Sequence, residues 1–282
     1  MLAIQTTPRA TTADKKALNA AEQFFAGRGW TPFAFQRETW AAQAAGKSGL
    51  INAPTGFGKT YAAFCGLCGA GSLPPGGRAG GEGLAAHTQI GDTAPPSPQP
   101  SPRGRGSLAA PPIAVLWITP LKALAADTLL SLKDAAATMQ PTWTVGLRTG
   151  DVSTSERAKQ DRRLPTVLVT TPESLALMLT KADWQARLGS LNCIVVDEWH
   201  ELLSSKRGVL LELCLSRVRG GRKRGSKRLQ TWGMSATLGN LDEAMRVLIG
   251  PDAALAGEGV LISGKIKKDI VIDSLKIGRA HV

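Results

Sequence analysis

Short apolar runs alternate along this chain with longer stretches in which apolar residues return every three or four positions. "GLINAP" (49–54), "IAVLWIT" (113–119), "WTVGLRTG" (143–150), "TVLVTT" (166–171), "CIVVD" (193–197) and "LQTWGMSAT" (229–237) have the length and β-branched content of strands. The segments after them carry the helical period: "KTYAAFCGLCGA" (59–70), then 121–139, 153–162, 172–180, about 207–219 and 240–249. Two more helices precede the first strand, one over about 13–27 and one running to about 45. Strands alternating with helices predict an α/β fold, a doubly wound parallel sheet with helices on both faces.

One stretch breaks the alternation. Residues 71–112 are dominated by Gly, Pro and Ser and show no apolar period, so they read as a long disordered insertion. Its "PPSPQPSPRGRG" resembles translated bacterial repeat sequence.

At 282 residues and 43% apolar, the chain can bury the core of one large domain or two small ones. No apolar stretch approaches the ~18 residues of a membrane span. The opening "MLAIQTTPRATTADKK" lacks the apolar segment of a signal peptide. Cys65 and Cys68 form a C-x-x-C inside a helical segment with no second pair at zinc-ribbon spacing, so they read as packing residues, and four cysteines in all fit a reducing cytoplasm. The formal charge of +12 favours a polyanionic partner, nucleic acid before a membrane surface. The basic run "GRKRGSKR" (221–228) has no aromatic interleaved for base stacking and reads as a solvated loop.

"LNCIVVDEWHELL" (191–203) drives a buried strand into two adjacent carboxylates, which is costly unless a cation or a proton-transfer task compensates them. "APTGFGKT" (53–60) supplies the other half. Between a strand and a helix, Gly56 and Gly58 let backbone N–H groups face phosphates, flanked by Thr55 and Phe57 in the same nucleotide-binding turn. Lys59 would reach the β- and γ-phosphates and Thr60 would ligate Mg²⁺. Asp197 would hold the same ion, directly or through water, and Glu198 would orient or deprotonate the attacking water. Lys59, Asp197 and Glu198 are therefore the candidate catalytic set, with ATP and Mg²⁺ as cofactors. On its own, Asp197 could instead cap the following helical turn.

Six ordered motifs resemble those of superfamily 2 DEXH-box helicases across almost the whole chain. These are "FQRETW", "APTGFGKT", "TPLKALAADT" (119–128) with "RTGD" (148–151), "TTPESLALML" (170–179), "DEWH" and "SAT" (235–237). "DEWHELLSSKRG" and "WGMSATLGNLDEA" narrow the likeness to the large helicase-related family, in its branch associated with bacterial DNA-repair ligases. The resemblance implies a RecA-like ATP-binding domain and ATP-dependent translocation on single-stranded or partly duplex DNA, with unwinding, in repair. It further implies a bacterial cytoplasmic setting, neighbours such as a DNA-repair ligase or nuclease, and no membrane. Gln36 stands where the family reads adenine, with Trp30 or Phe33 as a stacking partner or a core residue. His200 would couple the nucleotide site to Ser235 and Thr237, and Thr119, Pro120, Lys122, Thr149, Thr171 and Pro172 would contact the DNA backbone. Hydroxyls, backbone amides and one Lys suit phosphate positioning, although Thr-Pro also simply starts helices.

The organisation expected is residues 1–48 as N-terminal helices with the adenine-reading motif and 49–250 as the ATP-binding domain. Residues 251–276 are expected to begin a connector, with "IKKDIVIDSLK" as its strand, leading to a second RecA-like domain in cis that is absent. The final "IGRAHV" (277–282) translates a common sequencing-adapter sequence and reads as non-biological. Without the arginine finger of a second domain, hydrolysis would lose roughly 10³–10⁵-fold in rate and unwinding would be negligible. Two rival readings stay open: an RNA-dependent ATPase or RNA helicase, and a non-catalytic nucleotide-gated nucleic-acid-binding module.

Overall fold

The computed structural model describes residues 12–69, 112–222 and 228–264. The insertion read at 71–112 (except Pro112), most of the basic run at 221–228, "IKKDIVIDSLK" and "IGRAHV" lie outside the described residues.

Two helices open the chain, α1 (Thr12–Ala26) and α2 (Ala34–Ala44). Then come β1 (Ser48–Asn52) and α3 (Lys59–Gly69), β2 (Val115–Ile118) and α4 (Lys122–Met139), and β3 (Val145–Arg148) and α5 (Thr154–Arg162). β4 (Val167–Thr170) leads to α6 (Pro172–Leu179) and the single turn α7 (Trp184–Arg187). β5 (Cys193–Val196) is followed by another single turn, α8 (Trp199–Leu202), and by α9 (Lys206–Gly220). The described chain finishes with β6 (Gln230–Ser235), α10 (Leu241–Ile249), α11 (Pro251–Leu255) and β7 (Gly259–Ser263). The strands form one seven-stranded sheet in the order β3-β4-β2-β5-β6-β1-β7, and every pairing is parallel.

The alternation of each strand divides the core between the two faces. Val115, Trp117, Val167, Val169, Cys193, Val195, Trp232 and Met234 point to one face and pack with α1 to α4. Leu116, Ile118, Leu168, Ile194 and Val196 point to the other and pack with α6, α8, α9 and α10. Every residue of β2, β4 and β5 is buried, which explains their uninterrupted apolar sequences. Cys65 and Cys68 sit in the first of these clusters, and burial raises both thiols well above their ordinary range.

Four elements were not expected from the pattern: α7, α8, α11 and β7. The last lies inside the stretch read as the beginning of a connector, yet it pairs along its whole length with β1, from Ser48↔Gly259 to Asn52↔Ser263. No helix among the described residues is long and apolar enough to cross a membrane.

Candidate functional site

Parallel strands place all their carboxyl ends along one edge of the sheet, where ligands of such folds bind. At this edge β6 lies between β1 and β5, so the turn after β1 and the carboxylates after β5 sit one strand apart.

The turn after β1 runs from Ala53 to Thr60. Gly56 (φ 89°) and Gly58 (φ 74°) occupy left-handed backbone conformations that admit glycine without strain. A Cβ on Gly58 would also stand only 2.8 Å from Gln36 Nε2. Lys59 opens α3, is buried, and donates from Nζ to the Ala53 carbonyl at 2.9 Å, bracing the turn from inside. Burial lowers its pKa, while Glu198 and Asp197 pull it back up, so these three charges share one electrostatic neighbourhood. Thr60 follows in the first turn of α3, where backbone N–H groups have no intrahelical partner. Thr55 and Gly56 are exposed at the tip of the turn.

Gln36 fastens α2 to this turn. It accepts from the Phe33 amide at 2.8 Å and donates to the carbonyls of Gly58 at 3.1 Å and Phe57 at 3.4 Å. The Phe33 ring lies edge-on to Phe57 with centroids 5.6 Å apart. Trp30 instead packs against Phe24, Phe25 and Tyr61. Of the two aromatics expected near a base, Phe33 is the one beside the turn.

Asp197 emerges from β5 almost buried. Burial, and then the neighbouring charge of Glu198, push its carboxyl up to about 6. Its Oδ1 accepts the Glu198 amide at 2.9 Å, and the indole N–H of Trp117 faces it without closing a full hydrogen bond. Glu198 has φ 42°, a left-handed conformation rare for a residue with a side chain and costing of order 1 kcal/mol or more. This kink turns the chain into α8, so two consecutive carboxylates leave the strand in different directions. Glu198, not Asp197, is the residue at the cap position of α8. Glu198 Oε2 is buried without a hydrogen-bond partner.

His200 stands next to that oxygen. Its Nδ1 is 3.1 Å from Ser235 Oγ and 3.4 Å from Glu198 Oε2, and its Nε2 is 3.4 Å from Glu201 Oε1. Ser235, fully buried at the end of β6, also accepts the Ala53 amide on its carbonyl at 3.1 Å. One residue therefore touches both the phosphate-type turn and the histidine after the carboxylates. Thr237 lies two residues beyond β6 and is exposed.

The second group of expected residues lies along the same edge, at the ends of β2, β3 and β4. Thr119, Pro120, Thr149, Thr171 and Pro172 are buried. Thr119 Oγ1 donates to the Leu121 carbonyl at 3.1 Å, and Thr171 Oγ1 caps α6 by accepting from the Ser174 amide at 3.4 Å. Lys122 is the exposed cation of the set, and it pairs with Asp151 at 2.8 Å. Two residues outside the expected set complete this edge. Arg157 donates to the carbonyls of Thr149 (3.0 Å) and Gly150 (2.7 Å), holding that loop, and Arg207 grips Glu173 through two nitrogens, lowering the Glu173 carboxyl to about 2. Nothing in the spacing of the sequence announces such pairs, because the partners lie 29 residues apart for Lys122 and Asp151 and 34 apart for Glu173 and Arg207.

The family description "DEAD/DEAH box helicase" matches residues 33–244, which includes every site residue named above from Phe33 to Thr237. The chain belongs to this helicase family. Among its curated relatives is the Lhr helicase/uracil glycosylase of Escherichia coli, 33% identical over 229 residues, which cover 78% of this chain and 13% of that protein. The ATP-dependent helicase Lhr-Core of Saccharolobus solfataricus is 30% identical over 209 residues, covering 72% of this chain and 20% of the relative. The chain thus spans about a fifth or less of the length of these helicases. A solved structure of Mycobacterium smegmatis helicase Lhr bound to ssDNA and AMP-PNP superposes with a TM-score of 0.64 at 28% identity, covering 93% of this chain and 28% of that one. The DEAD/DEAH helicase fold is thus supported from sequence and from structure, and the Lhr helicases are relatives on both counts.

Proposed function

We propose that this chain is the ATP-binding motor domain of a DNA helicase of the Lhr type, one that moves on single-stranded DNA. The observation that carries the reading is the convergence of Lys59, Asp197 and Glu198 beside a turn with two left-handed glycines. An Mg²⁺-bound triphosphate fits these residues. Lys59 spends one of its three donors on Ala53 and keeps two for phosphate oxygens. The cost of burying Asp197 next to Glu198 is the kind that a divalent cation offsets. Mg²⁺ uses one or two carboxylates with substrate phosphates and water, so Thr60 and Asp197 are a sufficient protein contribution.

When bound, the ion supplies charge neutralisation to the phosphates undergoing transfer. The residues do the rest. The turn and Lys59 hold the triphosphate, and Glu198 offers its unpartnered Oε2 to orient the attacking water or take its proton. Gln36 and Phe33 connect the base-proximal side of α2 to the same turn. His200 and Ser235 pass any displacement of Glu198 to Ala53 and the end of β6. DNA phosphates would lie along the ends of β2, β3 and β4, contacted by loop amides and Lys122 while the buried threonines keep those loops in shape. DNA is favoured over RNA because the 28%-identical solved relative is bound to ssDNA.

The deciding experiment measures ATP hydrolysis by the full-length protein with single-stranded DNA or RNA of matched sequence. Stimulation by DNA well above RNA supports the reading. Equal or greater stimulation by RNA replaces it with the RNA-dependent alternative, and ATP binding without hydrolysis replaces it with a nucleotide-gated binding module.

A further inference from the structure

Glu198 and Ser204, at φ 42° and 62°, are the two residues other than glycine with left-handed backbones among the described residues. They bracket α8, one at each end. Such conformations persist only where the surroundings over-determine them, and they gather at switch regions. Past Ser204 the corner into α9 is tightly braced. Ser205 Oγ donates to the Leu202 carbonyl at 2.7 Å and accepts the Gly208 amide at 3.1 Å. Gly208 stands so near Leu202 that a Cβ would overlap the Leu202 carbonyl oxygen. The end of α8 and the first turn of α9 are therefore one braced unit.

Arg207 leaves that first turn and reaches across to α6. Its Nε and Nη2 donate to the two carboxylate oxygens of Glu173 at 2.5 and 3.0 Å. A fork of this kind fixes orientation as well as distance. Glu173 lies in the first turn of α6, two residues after Thr171, whose hydroxyl oxygen accepts the Ser174 amide and caps that helix. Contact is thus continuous from Glu198 to Thr171: a left-handed turn, a braced corner, a forked ion pair and a helix start. It bypasses His200, Ser235 and β6. The two side chains are 37% and 49% exposed, and an ion pair so placed contributes little to stability. What it contributes is geometry.

We propose that Arg207 is a positioning residue that couples the carboxylate turn to the nucleic-acid edge: clasped to Glu173, it makes the end of α6 that carries Thr171 and Pro172 follow the position of Glu198. The inference rests on the reading of Glu198 as part of a nucleotide site and of the end of β4 as part of a DNA edge. Nucleotide then alters DNA affinity through this pair, and DNA alters nucleotide affinity by the same factor.

The test measures the Kd of the full-length protein for a single-stranded oligonucleotide by fluorescence anisotropy, with and without Mg²⁺ and a non-hydrolysable ATP analogue. The ratio of the two values isolates the coupling, because a charge removed from the DNA edge acts on both alike. The unaltered protein should give a ratio at least about fivefold away from one. Arg207→Met and Glu173→Gln should each bring it at least about threefold closer to one, the scale on which residues between two sites modulate coupling. Arg207→Lys keeps the charge but not the fork, and should do the same. The double variant should lose no more than either single variant, since both break one contact. A ratio that the single variants leave in place, or single effects that add in the double variant, overturns the proposal; a tie that is only structural would lower the urea midpoint and nothing else. A ratio near one in the unaltered protein with the analogue bound also overturns it, while the nucleotide reading stands. Failure of the analogue to bind at all removes both.

Discussion

Asp197 should make the chain less stable than it could be. Its carboxyl is pushed from an ordinary 3.8 up to about 6, chiefly by burial and then by Glu198. At about 1.4 kcal/mol per pH unit, this corresponds to about 3 kcal/mol against the charged form in the folded state. The direction follows from linkage. Below pH 4 the carboxyl is neutral in both folded and unfolded chains, and there is no penalty. Between about 4 and 6 the unfolded chain ionises first, stability is lost as pH rises, and above about 6 the loss is complete. Asp197→Asn keeps the shape and an oxygen to accept the Glu198 amide, now bonded at 2.9 Å, but carries no charge. The variant should therefore be about 2–3 kcal/mol more stable at pH 8 in urea unfolding without nucleotide, and the gain should vanish as pH falls to about 4. Added Mg²⁺–ATP should stabilise the unaltered chain more than the variant, because the stabilisation by a ligand rises with the logarithm of its affinity for the folded state. Equal or lower stability of Asp197→Asn at pH 8 would refute the claim that this carboxylate is held ready for a cation at a cost to the fold.

Further expectations concern other parts of the same edge. Glu198→Gln should bind Mg²⁺–ATP with unchanged affinity by calorimetry while full-length turnover falls at least about 10²-fold, as loss of a positioned proton acceptor predicts; unimpaired turnover would remove Glu198 from the chemistry. Asp151→Asn frees Lys122 from its 2.8 Å partner, so binding to single-stranded DNA should tighten and its log-log salt slope should steepen by about 0.7, readable by fluorescence anisotropy. No change in that slope would mean that Lys122 does not touch a phosphate. Trp199 is fully buried and donates from Nε1 to the Ala244 carbonyl at 2.9 Å, so Trp199→Ala should cost about 3–5 kcal/mol in denaturant unfolding. A cost under 1 kcal/mol would show that α8 contributes little to the core beneath the carboxylate turn.

The sheet was legible because β2, β4 and β5 are buried on both faces and must be continuously apolar, and because each is followed by a helical period. β7 was harder to see. "GVLIS" is brief, only Ile262 of it is buried, and it gains its place by pairing with β1, a partner more than two hundred residues earlier. α8 was hidden for a different reason: it is one turn long and begins at a left-handed Glu198 that no propensity favours. The tight turn after β1 could be read because glycine is demanded where φ is positive, and Gly56 and Gly58 obey that demand. The contacts of Lys122 with Asp151, of Arg157 with the Thr149 carbonyl, and of His200 with Ser235 could not be read as geometry, since folding alone brings those segments together. The burial of Thr119, Thr149 and Thr171 changes how their edge works: the Thr119 and Thr171 hydroxyls bond within their own loops, and Lys122 is the exposed cation beside them.

The central claim is that Thr60 and Asp197 share one divalent ion beside a triphosphate held by Lys59. A crystal of the chain grown with Mn²⁺ and a non-hydrolysable ATP analogue, with anomalous scattering used to locate the metal, tests it most directly. The account predicts a manganese peak at roughly 2.1–2.2 Å from Thr60 Oγ1 and either bonded to Asp197 or one water away from it. A peak remote from both side chains, or a bound analogue whose phosphates lie away from Lys59, would contradict it.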